Sequence, residues 1–305
     1  MSSSPTVRGV GLGLRWEFAD ELVERRPSAS AFVPPGSLPD FLELAPENYI
    51  GRGGYHRTLF ERAAAQYPIV THGLTMSVGG SDPLDRGYLR DLAAFVRDVG
   101  SPWHSDHLCF GASRGRILHE LLPIAFTKRA VRRVADRVKE AQDALSVPFA
   151  VENISQYVAL PASEMDEPAF LAEVCEAAGC GLMLDVNNAH VNATNFGFDA
   201  RDWLARAPLE RAVQIHVAGG EWVTDDDGER VLIDTHGADV PDPVMDLLAV
   251  ALRRTGPVPV LVERDTSIPP LDALLREVAR VRAAVADALE SRDRARAGSS
   301  TLRGP

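Results

Sequence analysis

The sequence predicts an α/β chain folded as one (β/α)8 TIM barrel, and three observations carry that reading. Short apolar runs bounded by turn residues recur eight times along the chain. Stretches with helical periodicity separate them, and strict strand–helix alternation specifies parallel βαβ units. The length of 305 residues is one that such barrels commonly reach as a single domain.

The β-like segments are residues 9–15, 41–47, 68–74, 103–110, 148–154, 181–187, 213–218 and 259–264. Helical periodicity is clearest over 84–99, 127–145, 167–178, 243–255 and 271–290. Eight units can close into a barrel and leave no exposed sheet edge. An open doubly wound sheet is the alternative arrangement of the same units. Residues 1–290 are expected to form the barrel domain, and the polar, aperiodic SRDRARAGSSTLRGP (291–305) a flexible tail.

Composition narrows the function classes. Hydrophobic residues make up 45% and charged residues 25%, ordinary values for a chain able to bury a sizeable core. The net charge of −11 argues against nucleic-acid binding, which needs concentrated Lys and Arg. Cys109, Cys175 and Cys180 are too few, and odd in number, for a disulfide framework. The N-terminus has no basic region followed by an apolar one, and no run approaches about 18 apolar residues. A cytoplasmic protein with no membrane partner is expected.

Catalytic groups of such barrels come from the C-terminal ends of strands, and here those ends are uniformly polar. They carry Glu47 in ELAPENY, His72 in VTHG, His107 in SDHLCF and Glu152 in AVENIS. Next come Asp185 and Asn187 in LDVNN, His216 in QIHVAGG and Glu263 in LVERD, with Asp234 and His236 in IDTHG, read as the loop after the seventh strand. A lone His or Glu at a strand end is ordinarily a hydrogen-bonded structural group. Several carboxylates in one confined mouth repel and resist desolvation unless cations neutralise them. The ensemble therefore points to metal, and to more than one ion, since one ion rarely takes more than about six such ligands. The thiolate-free set suits iron, manganese or zinc.

Alternation separates His107 from His104: Leu108 and Phe110 share the helix-facing side with His104 and Asp106, so His107 should point into the barrel. His56 and His119 have no partner pattern and receive no role. The glycines of GVGLGLR and GRGG lack the dinucleotide fingerprint and read as turn or packing residues.

At these motifs the sequence resembles the multinuclear non-haem iron-dependent oxidases, the family of the methanobactin-biosynthesis iron oxidase. The resemblance spans residues 8 to 285 and rests on GVGLGLR, LAPENY, THGLTMSVGG, SDHLCF, VENIS, LDVNNAHVNATNFGFD, IHVAGG, DTHG and LVERDTSIPPL, in the family's order. It implies a barrel with two or three iron ions, mixed Fe(II)/Fe(III), and dioxygen as co-substrate. The implied reaction oxidises or rearranges a side chain, usually cysteine, of a ribosomally made precursor peptide, aided by a small partner or leader-binding protein. By motif position His72, His107 and Glu152 would serve one iron, Asp185, His216 and Glu263 a second, and Asn187, Asp234 and His236 a third. Glu47, Asn48, Asn153 and His190 would lie beside the ligands or the substrate. The chain departs from its relatives at Phe196 and Gly220, where they often carry histidine. A redox-neutral isomerase or hydrolase of the xylose-isomerase-like barrel type, and a peptide-binding module with a vestigial site, are the rival readings.

Overall fold

The computed structural model describes residues 7–25, 36, 38–224 and 226–301. Its strands, in chain order, are β1 (Val10–Gly13), β2 (Leu42–Leu44), β3 (Ile69–Gly73), β4 (His104–His107), β5 (Phe110–Ser113) and β6 (Arg116–Leu122). They continue with β7 (Phe149–Glu152), β8 (Gly181–Asp185), β9 (Ala212–Val217), β10 (Gly219–Thr224), β11 (Arg230–Ala238) and β12 (Val260–Val262). The helices are α1 (Trp16–Arg25), α2 (Tyr55–Ala64), α3 (Arg86–Val99), α4 (Lys128–Leu145), α5 (Glu167–Ala178), α6 (Val186–Phe196), α7 (Ala200–Arg206), α8 (Asp242–Thr255) and α9 (Leu271–Thr301).

Eight of the strands, β1-β2-β3-β4-β7-β8-β9-β12, close into a parallel barrel, and each matches one of the eight expected segments. The remaining four form two antiparallel hairpins, β5–β6 and β10–β11, inserted after the fourth and seventh barrel strands. Asp234 and His236, expected in a loop, therefore stand on β11. The second barrel strand was expected to run to residue 47 but ends at Leu44, because Pro46 has no N–H for the ladder; Glu47 sits in a short 3-10 turn instead.

Local sequence sets the helix boundaries. Asp85 caps α3 by accepting from Gly87 N and Tyr88 N, Thr127 caps α4, and Asp166 caps α5. α9 continues past the boundary expected at residue 290, to Thr301. Ala and Arg favour helix there, Glu290 and Arg294 pair one turn apart, and Arg292 packs its guanidinium at Gly256. Residues 302–305 of the expected tail lie outside the described residues.

Inside the barrel the side chains form layers. Val7, Phe41, Val70 and Leu261 make a small buried cluster with Trp103 against it, separate from the larger core between strands and helices. Gly11 leaves room for this plug: a Cβ there would lie 2.5 Å from the Phe41 ring. The helix-facing core, with Leu12, Leu42, Leu44, Leu182 and Leu184 fully or almost fully buried, holds the strands against α1 to α9. Among the described residues no helix is long and apolar enough to cross a membrane.

Candidate metal centre

Side chains two positions apart on a strand share a face, so the strands that form the apolar plug carry polar groups one layer up. Phe41 is followed by Glu43, Val70 by His72, and Leu261 by Glu263. Barrel register sets the candidates side by side: His72 is level with Ser105, His107 with Glu152, and Asp185 with His216.

Three groups of side chains able to hold a metal result: His72, His107 and Glu152; Glu152, Asp185, His216 and Glu263; and His236, Glu263 and Asp265. In the first, His72 Nε2, His107 Nε2 and Glu152 Oε2 form a triangle with edges of 3.2, 3.0 and 3.2 Å. Metal–ligand bonds of about 2.1 Å at right angles place neighbouring ligand atoms about 3 Å apart, so this triangle has the size of one face of a coordination octahedron. In the second, His216 Nδ1 lies 3.1 Å from Glu152 Oε1 and 3.2 Å from Glu263 Oε2. In the third, His236 Nδ1 lies 3.0 Å from Asp265 Oδ2 and 3.6 Å from Glu263 Oε2. Glu152 thus joins the first and second groups, and Glu263 the second and third. On its other side His236 Nε2 is 2.8 Å from Asp234 Oδ1, which accepts from Asn187 Nδ2 at 2.7 Å. The structure therefore brings together all nine residues singled out in the sequence as ligands.

Each imidazole in the centre has one nitrogen held by the protein and the other turned toward a shared space. His72 Nδ1 lies 2.8 Å from Ser105 Oγ, and His107 Nδ1 lies 3.1 Å from the Gly73 carbonyl. His216 Nε2 is 3.1 Å from Glu43 Oε1, whose other oxygen accepts from Gln214 Nε2 at 2.6 Å. His236 Nδ1 meets Asp265, which is also gripped by the Arg15 guanidinium. Such tethering fixes tautomer and ring orientation, as metal ligands require. Asp185 is held likewise: Asn153 Nδ2 donates to its carbonyl and Asn153 Oδ1 accepts from its N–H, while its Oδ1 caps α6 through Asn188 N at 2.7 Å.

The atoms left over test whether these residues fit a metal. Glu152 Oε2, Asp185 Oδ2, Asn187 Oδ1, His216 Nδ1 and His236 Nε2 are all buried without a hydrogen-bond partner. Three of them lie about 3 Å from an atom of another candidate ligand without forming a hydrogen bond: Glu152 Oε2 from His72 Nε2, His216 Nδ1 from Glu152 Oε1 and His236 Nε2 from Asp234 Oδ1. A structural polar network would satisfy such atoms, whereas convergent lone pairs suit a cation. The donor set of imidazoles, carboxylates and a carboxamide, with no thiolate, fits iron, manganese or zinc.

Charge is concentrated accordingly. Burial opposes the protonated form of His72, yet the Glu152 carboxylate raises it to about 9. His216 and His236 are also raised despite burial, by Glu43 with Glu263 and by Glu263 with Asp234 respectively. Burial, reinforced by Glu152 and Asp234, pushes the Asp185 carboxyl up. Burial opposes the anionic form of Glu152, but His72, His107 and His216 outweigh it and hold the carboxyl well below the usual carboxylate range.

A cavity of about 540 Å³ opens above this centre, lined by His72, His107, Asp234, His236 and Glu263 and, at its mouth, by Glu47, Asn48 and Arg52. Glu47 Oε1 accepts from Leu74 N, Thr75 N and Tyr88 OH, so it braces the turn after β3. His104 points away from the centre: its Nδ1 lies 3.0 Å from Thr71 Oγ1, and burial lowers it to about 3. His190 lines a separate surface pocket with Asp199, Arg201 and Asp246. On α6 it lies two residues from both Asn188 and Asn192, about 200° around from the face those two present to the Asn153 and Ile154 carbonyls. It is not part of the cavity.

Sequence reading passed over Glu43, Gln214, Asp265 and Arg15. Glu43 was findable as an acid inside the apolar run FLEL, and Asp265 by its same-face spacing from Glu263.

Residues 9–286 match the family described as RiPP precursor modification enzyme MbnB/TglH/ChrH. The chain belongs to that family. Relatives within it include a UPF0276 protein of Pseudomonas aeruginosa, 44% identical over 276 residues and covering 90% of this chain and 92% of that one. A UPF0276 protein of Caulobacter vibrioides is 42% identical over 277 residues, covering 90% and 94%. Among solved structures the barrel resembles an L-ribulose 3-epimerase (TM-score 0.58, 14% identity, 97% of this chain and 99% of that one). It also resembles a xylose isomerase-like TIM barrel protein of Mycobacterium smegmatis (TM-score 0.56, 12% identity, 95% and 100%). At those identities the likeness is one of fold. Membership of the MbnB/TglH/ChrH family makes a ribosomally made precursor peptide the implied substrate.

Proposed function

We propose that this family member is a multinuclear non-haem iron oxidase that uses dioxygen to modify a side chain, with cysteine as the target, of a precursor peptide. The carrying observation is the face formed by His72, His107 and Glu152, because two imidazoles and one carboxylate on a single face are the donor set of non-haem Fe(II) oxygenases. Family membership supports the peptide class.

His72, His107 and Glu152 would hold one ion; Asp185, His216 and Glu263, with Glu152 shared, a second; Asn187, Asp234 and His236 a third. Asp265 is left out of the third set because Arg15 already neutralises it and its role is to hold His236 Nδ1. Iron in these positions would supply one-electron and dioxygen chemistry that side chains alone lack. The protein's own contribution is geometric. Ser105, the Gly73 carbonyl, Glu43 and Asp265 hold the imidazoles, and the Phe41–Val70–Leu261 plug seals the barrel below. Glu47, Asn48 and Arg52 offer polar contacts to a peptide entering from above. Cytoplasmic location and delivery by a small partner or leader-binding protein belong to the same reading.

The test is anaerobic purification from iron-supplemented cells, metal analysis, and oxygen-uptake measurement with synthetic cysteine-bearing peptides chosen by a search of the reading frames around the gene. Two to three irons per chain and peptide-dependent oxygen uptake with a change in peptide mass are expected. Zinc without iron, together with no oxygen uptake, would sink the proposal and favour the redox-neutral alternative.

A further inference from the structure

The cavity above the metal ligands has an apolar wall that the ligand chemistry does not use. Leu74, Ile117 and Leu121 line it, and they remain 45%, 49% and 37% exposed. Ile117 and Leu121 come from β6, whose seven residues RILHELL are exposed throughout. An apolar strand left bare in this way is normally covered by something.

The hairpin is built to hold this wall in place. β5 is the fastened strand: Ser77 Oγ accepts from Gly111 N at 2.9 Å and Ala112 N at 3.1 Å. β6 is the outer one, pairing with β5 and, among the described residues, with no other strand. Its pairing is irregular. Leu122 lies opposite Phe110 and Ile117 opposite Ala112, so Leu118 to Leu121 bulge out across from Gly111, with His119 at φ +57°. A bulge of this kind re-aims side chains, and a left-handed non-glycine residue persists where its surroundings enforce it. Here the bulge turns His119, Glu120 and Leu121 to the cavity.

We propose that Leu74, Ile117 and Leu121 form a subsite for an apolar side chain of the precursor peptide, one or two positions from the modified residue. This rests on the peptide-oxidase reading and adds to it a sequence preference. The occupant follows from position: the wall borders the same cavity as His72 and His107, so what covers it is whatever enters that cavity beside the reacting residue. The same cavity is also lined by Glu47, Arg52 and Asp234, so it offers an entering chain polar contacts as well as an apolar one.

The experiment uses the iron-loaded full chain and the synthetic cysteine-bearing peptide that supports oxygen uptake in the test above. Variants of that peptide carry each apolar residue within two positions of the modified one replaced by serine. Serine at the recognised position is expected to raise KM at least tenfold with kcat little changed, because remote apolar contact binds ground and transition states alike. Ile117→Asp and Leu121→Asp should raise KM for the parent peptide to a similar degree while iron content stays at the wild-type value. Replacing the flanking apolar residue by lysine should restore use by Leu121→Asp. A native peptide with no apolar residue within two positions of the modified one would overturn the subsite. So would serine peptides used as well as the parent, or unchanged KM in both aspartate variants. Each of these leaves oxygen uptake with the wild-type protein intact, whereas loss of that uptake strikes the oxidase reading instead.

Discussion

Glu43 and His216 meet inside the barrel, with His216 Nε2 3.1 Å from Glu43 Oε1, and this contact turns His216 Nδ1 toward Glu152 and Glu263. Glu43→Gln keeps the shape but weakens the grip on the ring. Loss of such an outer partner costs about 10- to 100-fold in metal affinity. Chelator competition followed by metal analysis should show one ion leaving more readily than in the wild type, with the circular dichroism spectrum unchanged.

Glu152 touches both His72 and His216 through different oxygens, so its removal reaches two groups at once. Glu152→Gln should lower the metal-to-protein ratio by about twice as much as His107→Ala, which touches one group. Metal content measured on both variants, expressed side by side, checks this. Equal losses would mean that Glu152 does not bridge.

Buried, partnerless atoms on Glu152, Asp185 and His216 make the metal-free protein the less stable form. An ion present at a hundred times its dissociation constant contributes about 2.7 kcal/mol of stability. For a chain of this length that is a thermal midpoint shift of about 4 °C per ion. Scanning calorimetry before and after chelation should show a drop of at least this size, recovered when iron is returned under anaerobic conditions.

Gly11 faces the Phe41 ring so closely that a methyl group has no room. Gly11→Ala should destabilise by about 2 kcal/mol through overpacking of the barrel plug. The urea midpoint should fall, and metal affinity should change little, since the plug lies one layer below the ligands.

Glu167, at the first turn of α5, is pushed up to about 7 from 4.5 by burial, opposed by hydrogen bonds from Trp203 and Gln156. A carboxyl raised in the folded state contributes stability that is complete below about pH 4.5 and is lost as the pH rises through about 7. Glu167→Gln stays neutral throughout. It should be more stable than the wild type by about 3 kcal/mol at pH 8, with the difference vanishing near pH 4. Denaturation midpoints of the two proteins across that range decide the matter.

Sequence alone reached far into this protein for a stated reason. A parallel barrel strand buries both faces, so its apolar run stands out, and the polar residue that ends it stands out more. That contrast made His72, Glu152, His216 and Glu263 visible before any contact was known. The same signal hid Glu43, because the strand was extended through Pro46 and its acidic residue sought at position 47. The hairpins were hidden too, since β6 is exposed on every residue and has no buried face to give it a period.

The order of the barrel strands, and the polar residue that most of them deliver to the mouth, were written in the chain's local pattern. Which oxygen meets which imidazole was not. Glu152 stands between His72 and His216 only because the closed register places β3, β7 and β9 around one axis. Sequence spacing carries no distance across a barrel. Tethers such as Glu43 to His216, 173 residues apart, and Arg15 to Asp265, 250 apart, exist through closure alone. His190, for all its nearness to Asn187 in the chain, faces a different pocket because the turn of α6 carries it round to the other side of the helix.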